Sequence, residues 1–101
     1  CLCVYSAEEW QNYTAKINEL PKSQAKAVAR FLYSNAIDVQ LDSQGRVLLP
    51  QSMIDYAGIK KNIITVGCGK YAEIWAEEVW NERGLSDEPE NYAEMLTLLG
   101  L

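Results

Sequence analysis

The chain contains no histidine. That removes the commonest general base and the commonest nitrogen ligand for a metal ion. No Ser–His or Cys–His arrangement can be built, and an enzyme is not expected. The three cysteines, Cys1, Cys3 and Cys68, are an odd number without metal-ligand spacing. They read as small hydrophobes in a reduced cytoplasmic setting, with no metal and no cofactor expected. No apolar run approaches the ~20 residues of a membrane span. No positively charged segment precedes the apolar residues at the start, so a signal peptide is not expected either.

Basic charge is also scarce. Nine Lys and Arg stand against fourteen Asp and Glu, a net charge of −5. Alone, that argues against nucleic acid, because phosphate contacts need clustered cations. The distribution changes the reading. Asp87, Glu88, Glu90 and Glu94 follow Gly84 with no basic residue among them, so residues 1–84 hold ten acids against all nine bases. That body is near neutral and leaves room for a local basic face. What is plentiful is apolar: 49% of 101 residues, with 23% charged, the balance of one globular domain or a fragment of one.

The chain is organised around Leu41-Asp42-Ser43-Gln44-Gly45-Arg46-Val47-Leu48-Leu49-Pro50. Asp42 and Gly45 suit a type I turn followed by a left-handed residue, with the Asp42 carboxylate accepting backbone N–H groups as in an Asx-turn. Arg46 follows at the base of this tip. Ala36–Leu41 alternates, with Ile37, Val39 and Leu41 on one face, and is expected to pair across the turn with Arg46–Leu49. Pro50 ends the second strand and starts a helix over Gln51–Ala57, with Met53, Ile54 and Ala57 inward and Gly58 as the stop.

Elsewhere the pattern is alternately strand and helix. Cys1–Tyr5 reads as a short apolar strand. Ser6 and Glu9 form a capping box for a helix to about Glu19, with Trp10, Tyr13, Ile17 and Leu20 on its buried face. Leu20-Pro21 breaks it, and a second helix from Ser23 carries Ala25, Val28, Ala29 and Leu32 on one side. Lys22, Lys26 and Arg30 share an exposed stripe, either solvated or facing phosphates or another subunit. Asn62–Gly67 is a β-branched strand, Gly67–Lys70 a turn, and Tyr71–Trp75 the return strand. The glycines of that turn lack the spacing of a phosphate cradle. Glu77–Arg83 closes with a helix bearing Val79 and Trp80. Beyond Leu85 an exposed linker is expected, then a short amphipathic helix or loose tail over Tyr92–Leu101.

One stretch recurs. At an offset of 70, Val4–Trp10 lies over Ile74–Trp80, with Glu8 matching Glu78 and Trp10 matching Trp80. Both are an aliphatic–aromatic strand end followed by an acidic helix start with a Trp. The later copy comes about 30 residues after Asp42. The earlier one has no such run before it, so the sequence is expected to be an N-terminal truncation of a two-repeat protein.

The ordered set resembles the SpoVT/AbrB-type swapped-hairpin DNA-binding domains: D-x-x-G-R at 42–46, Pro50, Gly58-Ile59, Ile63–Val66, Ala72–Trp75 and Trp80. With its flanks, over roughly residues 1–84, it is similar to the MraZ family of bacterial transcriptional regulators. The resemblance implies an α+β fold built on a swapped-hairpin β-barrel. Residues 1–20 would be a remnant of a first half-domain, 21–35 a linker helix, 36–84 a complete half-domain and 85–101 an acidic tail.

It also implies a sequence-specific regulator, cytoplasmic and nucleoid-associated. A homo-oligomeric ring would grip double-stranded DNA at promoter repeats of the division and cell-wall gene cluster. The DNA-facing residues are then Arg46, with Asp42 shaping the loop, and Ser43, Gln44 and Gly45 around it. Lys60, Lys61 and Lys70 either add phosphate contacts or are simply solvated, and an internal salt bridge from Arg46 to Asp42 or Asp38 is the competing role for the guanidinium. A different reading is an AbrB-like antitoxin or interaction module, whose acidic tail with Tyr92, Met95, Leu96, Leu98 and Leu99 would fit a protein groove. Against it, such antitoxins carry one half-domain, and the echo implies two.

Overall fold

The computed structural model describes residues 1–85 and 89–101. Its sheet has three antiparallel strands: β1 (Leu2–Val4), β2 (Ile63–Gly67) and β3 (Ala72–Ala76), in the spatial order β1-β3-β2. The β-branched run Ile63-Ile64-Thr65-Val66 favours the extended state. Ile64 and Val66 are half-buried while Ile63 and Thr65 face solvent, the period-2 signature of a one-sided strand. The Cys68 N–H donates to the Tyr71 carbonyl at 2.8 Å and closes the β2–β3 hairpin. The return strand is Ala72–Ala76, shifted by one residue from the expected Tyr71–Trp75.

The register of β1 on β3 pairs Leu2 with Ile74, Cys3 with Glu73 and Val4 with Ala72. Cys3 and Glu73 are themselves 70 residues apart, the offset of the internal repeat. Exchanging each residue for its repeat counterpart maps this ladder onto itself. The two copies of the repeated strand therefore meet about a local two-fold axis between Cys3 and Glu73.

Among the described residues the helices are α1 (Ala7–Ala15), α2 (Lys22–Ser34), α3 (Gln51–Ala57), α4 (Glu77–Arg83) and α5 (Pro89–Leu98). Ser6 Oγ accepts from the Glu9 N–H at 3.1 Å, one half of the expected capping box. α1 stops at Ala15, short of Glu19. Its last turn tightens into a 3-10 segment, Lys16–Glu19, before Leu20 turns extended ahead of Pro21. α2 begins at Lys22, one residue early, with Ala25, Val28, Ala29 and Leu32 half-buried as the spacing demands. Lys22, Lys26 and Arg30 all face solvent. The acidic Asp87 and Glu88, assigned above to a linker, lie outside the described residues.

Aromatic side chains fasten the first repeat to the second. The Tyr5 ring lies 5.8 Å from Trp10, 5.2 Å from Tyr13 and 5.5 Å from Tyr71, and Trp10 meets Tyr33 edge-on at 5.9 Å. Strand end, α1, α2 and the start of β3 thus share one cluster, and such pairs add about 0.5–1.5 kcal/mol each beyond area burial. In the second repeat Trp75 and Trp80 pack edge-on at 5.6 Å. The Trp80 indole covers Gly84 so closely that any Cβ there would collide with the ring.

The expected strands over Ala36–Leu41 and Arg46–Leu49 do not form. The turn between them closes, but no ladder extends from it, and Ile37, Val39, Leu41, Val47 and Leu48 are exposed, Leu48 to 92%. A two-stranded hairpin with nothing covering its apolar face is marginal in water. The periodicity was real; the surface it needs to lie on is not supplied by these 101 residues. The same deficit shows globally. A compact monomer of 11.4 kDa exposes roughly 5,800 Å², whereas this chain exposes 8429 Å². Only Ala57 and Ala76 are buried among the described residues.

Gly58 gives a local test of the scaffold. It sits at φ 70°, its N–H donates to the Asp55 carbonyl at 3.1 Å, and the Ile59 N–H reaches the Ile54 carbonyl at 3.0 Å, a Schellman cap. A Cβ there would meet only Val79 Cγ2, at an ordinary 3.8 Å. Gly58→Ala should therefore lower stability by about 1 kcal/mol through backbone strain alone, read as a shift of the urea midpoint with an unchanged m-value.

Candidate nucleic-acid interface

The tip at residues 42–46 is held by one carboxylate. Asp42 Oδ1 accepts from the Gln44 N–H at 2.9 Å and the Arg46 N–H at 2.8 Å. Asp42 Oδ2 accepts from Arg46 Nε at 2.8 Å. Backbone bonds finish the loop: Gly45 N–H to the Asp42 carbonyl at 3.0 Å and Asp42 N–H to the Arg46 carbonyl at 2.9 Å. Gly45 takes φ 78°, which a side chain would oppose. The expected left-handed residue after a type I-like turn is thus in place.

The salt bridge named above as the competing role for Arg46 is formed, with Asp42 and not with Asp38. It uses Nε alone. The Arg46 side chain remains 73% exposed. A guanidinium has five N–H donors in a planar fork, so among the described residues the two terminal nitrogens stay free to grip a phosphate or a guanine edge in bidentate fashion. The pair fixes the direction of the guanidinium without consuming it.

The structure gathers Asp42, Ser43, Gln44, Gly45 and Arg46 in one tip and leaves all five exposed. Lys60 and Lys61 lie on the exposed connection between α3 and β2, and Lys70 at the β2–β3 turn. Among the described residues, no hydrogen bond or ion pair joins these lysines to the tip. Sequence reasoning missed a different juxtaposition, that of Cys1 and Cys3 with Glu73 across the β1–β3 ladder. Its only trace in sequence was the alternation that puts Cys1 and Cys3 on one strand face.

The Asp42 carboxyl is held below its ordinary pKa of 3.8, first by the Arg46 N–H, then by the Gln44 N–H and the Arg46 guanidinium. A depressed native pKa contributes order that is complete above the unfolded value and is lost as pH falls through the native one. The tip should therefore stay intact on acidification through pH 4 and loosen only below it. An NMR titration following the Asp42 carboxyl carbon and the Gln44 and Arg46 amides checks this; Asp42→Asn should abolish the acid transition.

Comparison with known proteins adds a lineage. A family model described as "MraZ protein, putative antitoxin-like" matches residues 32–93, which contain the tip, α3, β2, β3 and α4. A protein of a Thermoanaerobacter species is 44% identical over 84 residues, covering 81% of this chain and 59% of the relative. One from Clostridium acetobutylicum is 43% identical over 104 aligned residues, covering 100% of this chain and 73% of the relative. One from Acetivibrio thermocellus is 38% identical over 106, again covering 100% and 73%. Each of the three bears the name "Transcriptional regulator MraZ".

Proposed function

The chain belongs to the MraZ family, with its AbrB-like α+β fold, and from that premise we propose that it acts as a DNA-binding transcriptional regulator. The observation that carries the proposal is the Asp42-braced tip, which presents the free edge of one guanidinium on a stiff loop. The reading is of a homo-oligomer, ring-shaped, that sets several such tips against short repeats in double-stranded promoter DNA of the division and cell-wall gene cluster. Single contacts of this size are weak, and linking several raises the effective affinity by orders of magnitude. The setting is cytoplasmic, at the nucleoid; no helix among the described residues is long and apolar enough to cross a membrane.

Ser43 and Gln44 would touch the backbone or base edges beside Arg46, while Gly45 keeps the loop low. Lys60 and Lys61 would add phosphate contacts. The need for copies follows from the bare apolar arms of the tip, since Leu41 and Leu48 must be covered for those arms to pair as strands.

Two experiments test this. In a binding titration against DNA upstream of its own reading frame, Arg46→Ala should weaken binding at least about tenfold and reduce the slope of log affinity against log salt by about 1. Unchanged affinity removes Arg46 from the interface. In light scattering at micromolar concentration the protein should be oligomeric, and Leu48→Glu should shift it toward monomer. A wild-type monomer sinks the assembly reading.

A second reading has its own observation. The family model's description includes the word antitoxin-like, and Met95, Leu96 and Leu98 of α5 are exposed, as is Leu99 just after it. An antitoxin would use that face to bind a protein. Capture of one stoichiometric partner, lost on Leu96→Asp with DNA binding intact, would favour it.

A further inference from the structure

Seventy residues separate Cys3 from Glu73, yet the β1–β3 ladder sets them directly opposite one another. Cys1 lies two residues before Cys3, where a strand places side chains on the same face. The Cys1 and Cys3 sulfurs and a Glu73 carboxylate oxygen all lie within 4.8 Å of one another. In a tetrahedral zinc site, bonds of about 2.3 Å to sulfur and about 2.0 Å to oxygen put donors about 3.5–3.8 Å apart. Both cysteines are exposed, so small rotations can close the difference.

The carboxylate is already oriented. Trp75 Nε1 donates to Glu73 Oε1 at 3.1 Å, the kind of outer partner that fixes a ligating carboxylate and leaves its second oxygen available. Partial desolvation first and then the Glu73 carboxylate push the Cys3 thiol up, the terminal ammonium opposes them, and the Cys68 thiol adds a smaller upward push. A divalent cation would stabilise the thiolates and the carboxylate together.

We propose that Cys1, Cys3 and Glu73 form a binding site for a thiophilic divalent cation of the zinc class, with a fourth position taken by water. The donor set excludes hard cations, which select all-oxygen cages. With no histidine in the chain, few other groups compete for such an ion. The ion would clip β1, a strand of only three residues, to the centre of the sheet. The inference is independent of whether the protein binds DNA.

The test uses the metal-stripped, fully reduced protein. Zn²⁺ is titrated in competition with a chromophoric chelator, and Co²⁺ serves as the spectroscopic probe. The expected result is one equivalent bound with micromolar or tighter affinity, thiolate-to-cobalt charge-transfer absorption, and an unfolding midpoint that rises with free Zn²⁺. Cys1→Ser, Cys3→Ser and Glu73→Gln should each weaken binding at least about tenfold, while Cys68→Ser keeps it and Mg²⁺ does not compete. Wild-type affinity in Cys3→Ser, loss confined to Cys68→Ser, or a cobalt spectrum without thiolate bands would overturn the site. The wild-type spectrum decides the matter even if a variant fails to fold.

Discussion

The antiparallel pairing of β3 on both of its edges is the constraint from which the rest follows. β2 and β1 reach one another only through it. Its side chains are half-buried along their whole length and end in Ala76, which is fully buried where α4 begins. A small residue is needed there because the Glu77 N–H turns back to the Asn62 carbonyl at 3.1 Å, drawing the helix start against β2. The same strand carries Tyr71 beside its first residue and Trp75 near its last, so both aromatic clusters are anchored on it. Remove the strand and β1 loses the ladder that it forms among the described residues.

Sequence was a good guide wherever the determining contacts are local. α3 begins after Pro50 and ends at Gly58 as expected, because a proline that cannot continue a strand and a glycine free to adopt a positive φ are both read within a few residues. The Asp42–Arg46 tip is legible for the same reason: five residues contain every bond that holds it. Failures came where the outcome depends on a surface elsewhere. The alternation of Ile37, Val39 and Leu41 is a true strand pattern, but a pattern states which face must be covered and not what covers it. Near the 3-10 end of the first helix a Thr14 hydroxyl donates to the Trp10 and Gln11 carbonyls, a local bond that periodicity does not register. The cysteine–carboxylate cluster was invisible because its spacing is set by ladder register and not by chain order.

The tip shows a division of labour between charge and backbone. One carboxylate satisfies two amides and a guanidinium nitrogen, so the loop is rigid without a buried core beneath it. Its arms are the opposite: apolar, bare and without a ladder. Order at the tip is thus local, while the arms that carry it depend on burial still to be supplied. On the proposed reading, such an arrangement would let assembly and recognition be tuned by different residues.

The local two-fold between Cys3 and Glu73 has a consequence for how copies can meet. Two β3 strands from separate chains, joined in this register, would oppose Glu73 to Glu73, and directly facing like charges disfavour a ladder. Two β1 strands would instead oppose thiol to thiol and forgo the indole that steadies the carboxylate. The mixed pair avoids both, so divergence between the repeats biases the middle of the sheet toward a partner within the same chain. Any pairing between molecules would thereby be steered to the outer margins of β1 and β2, where no such mismatch stands in the way.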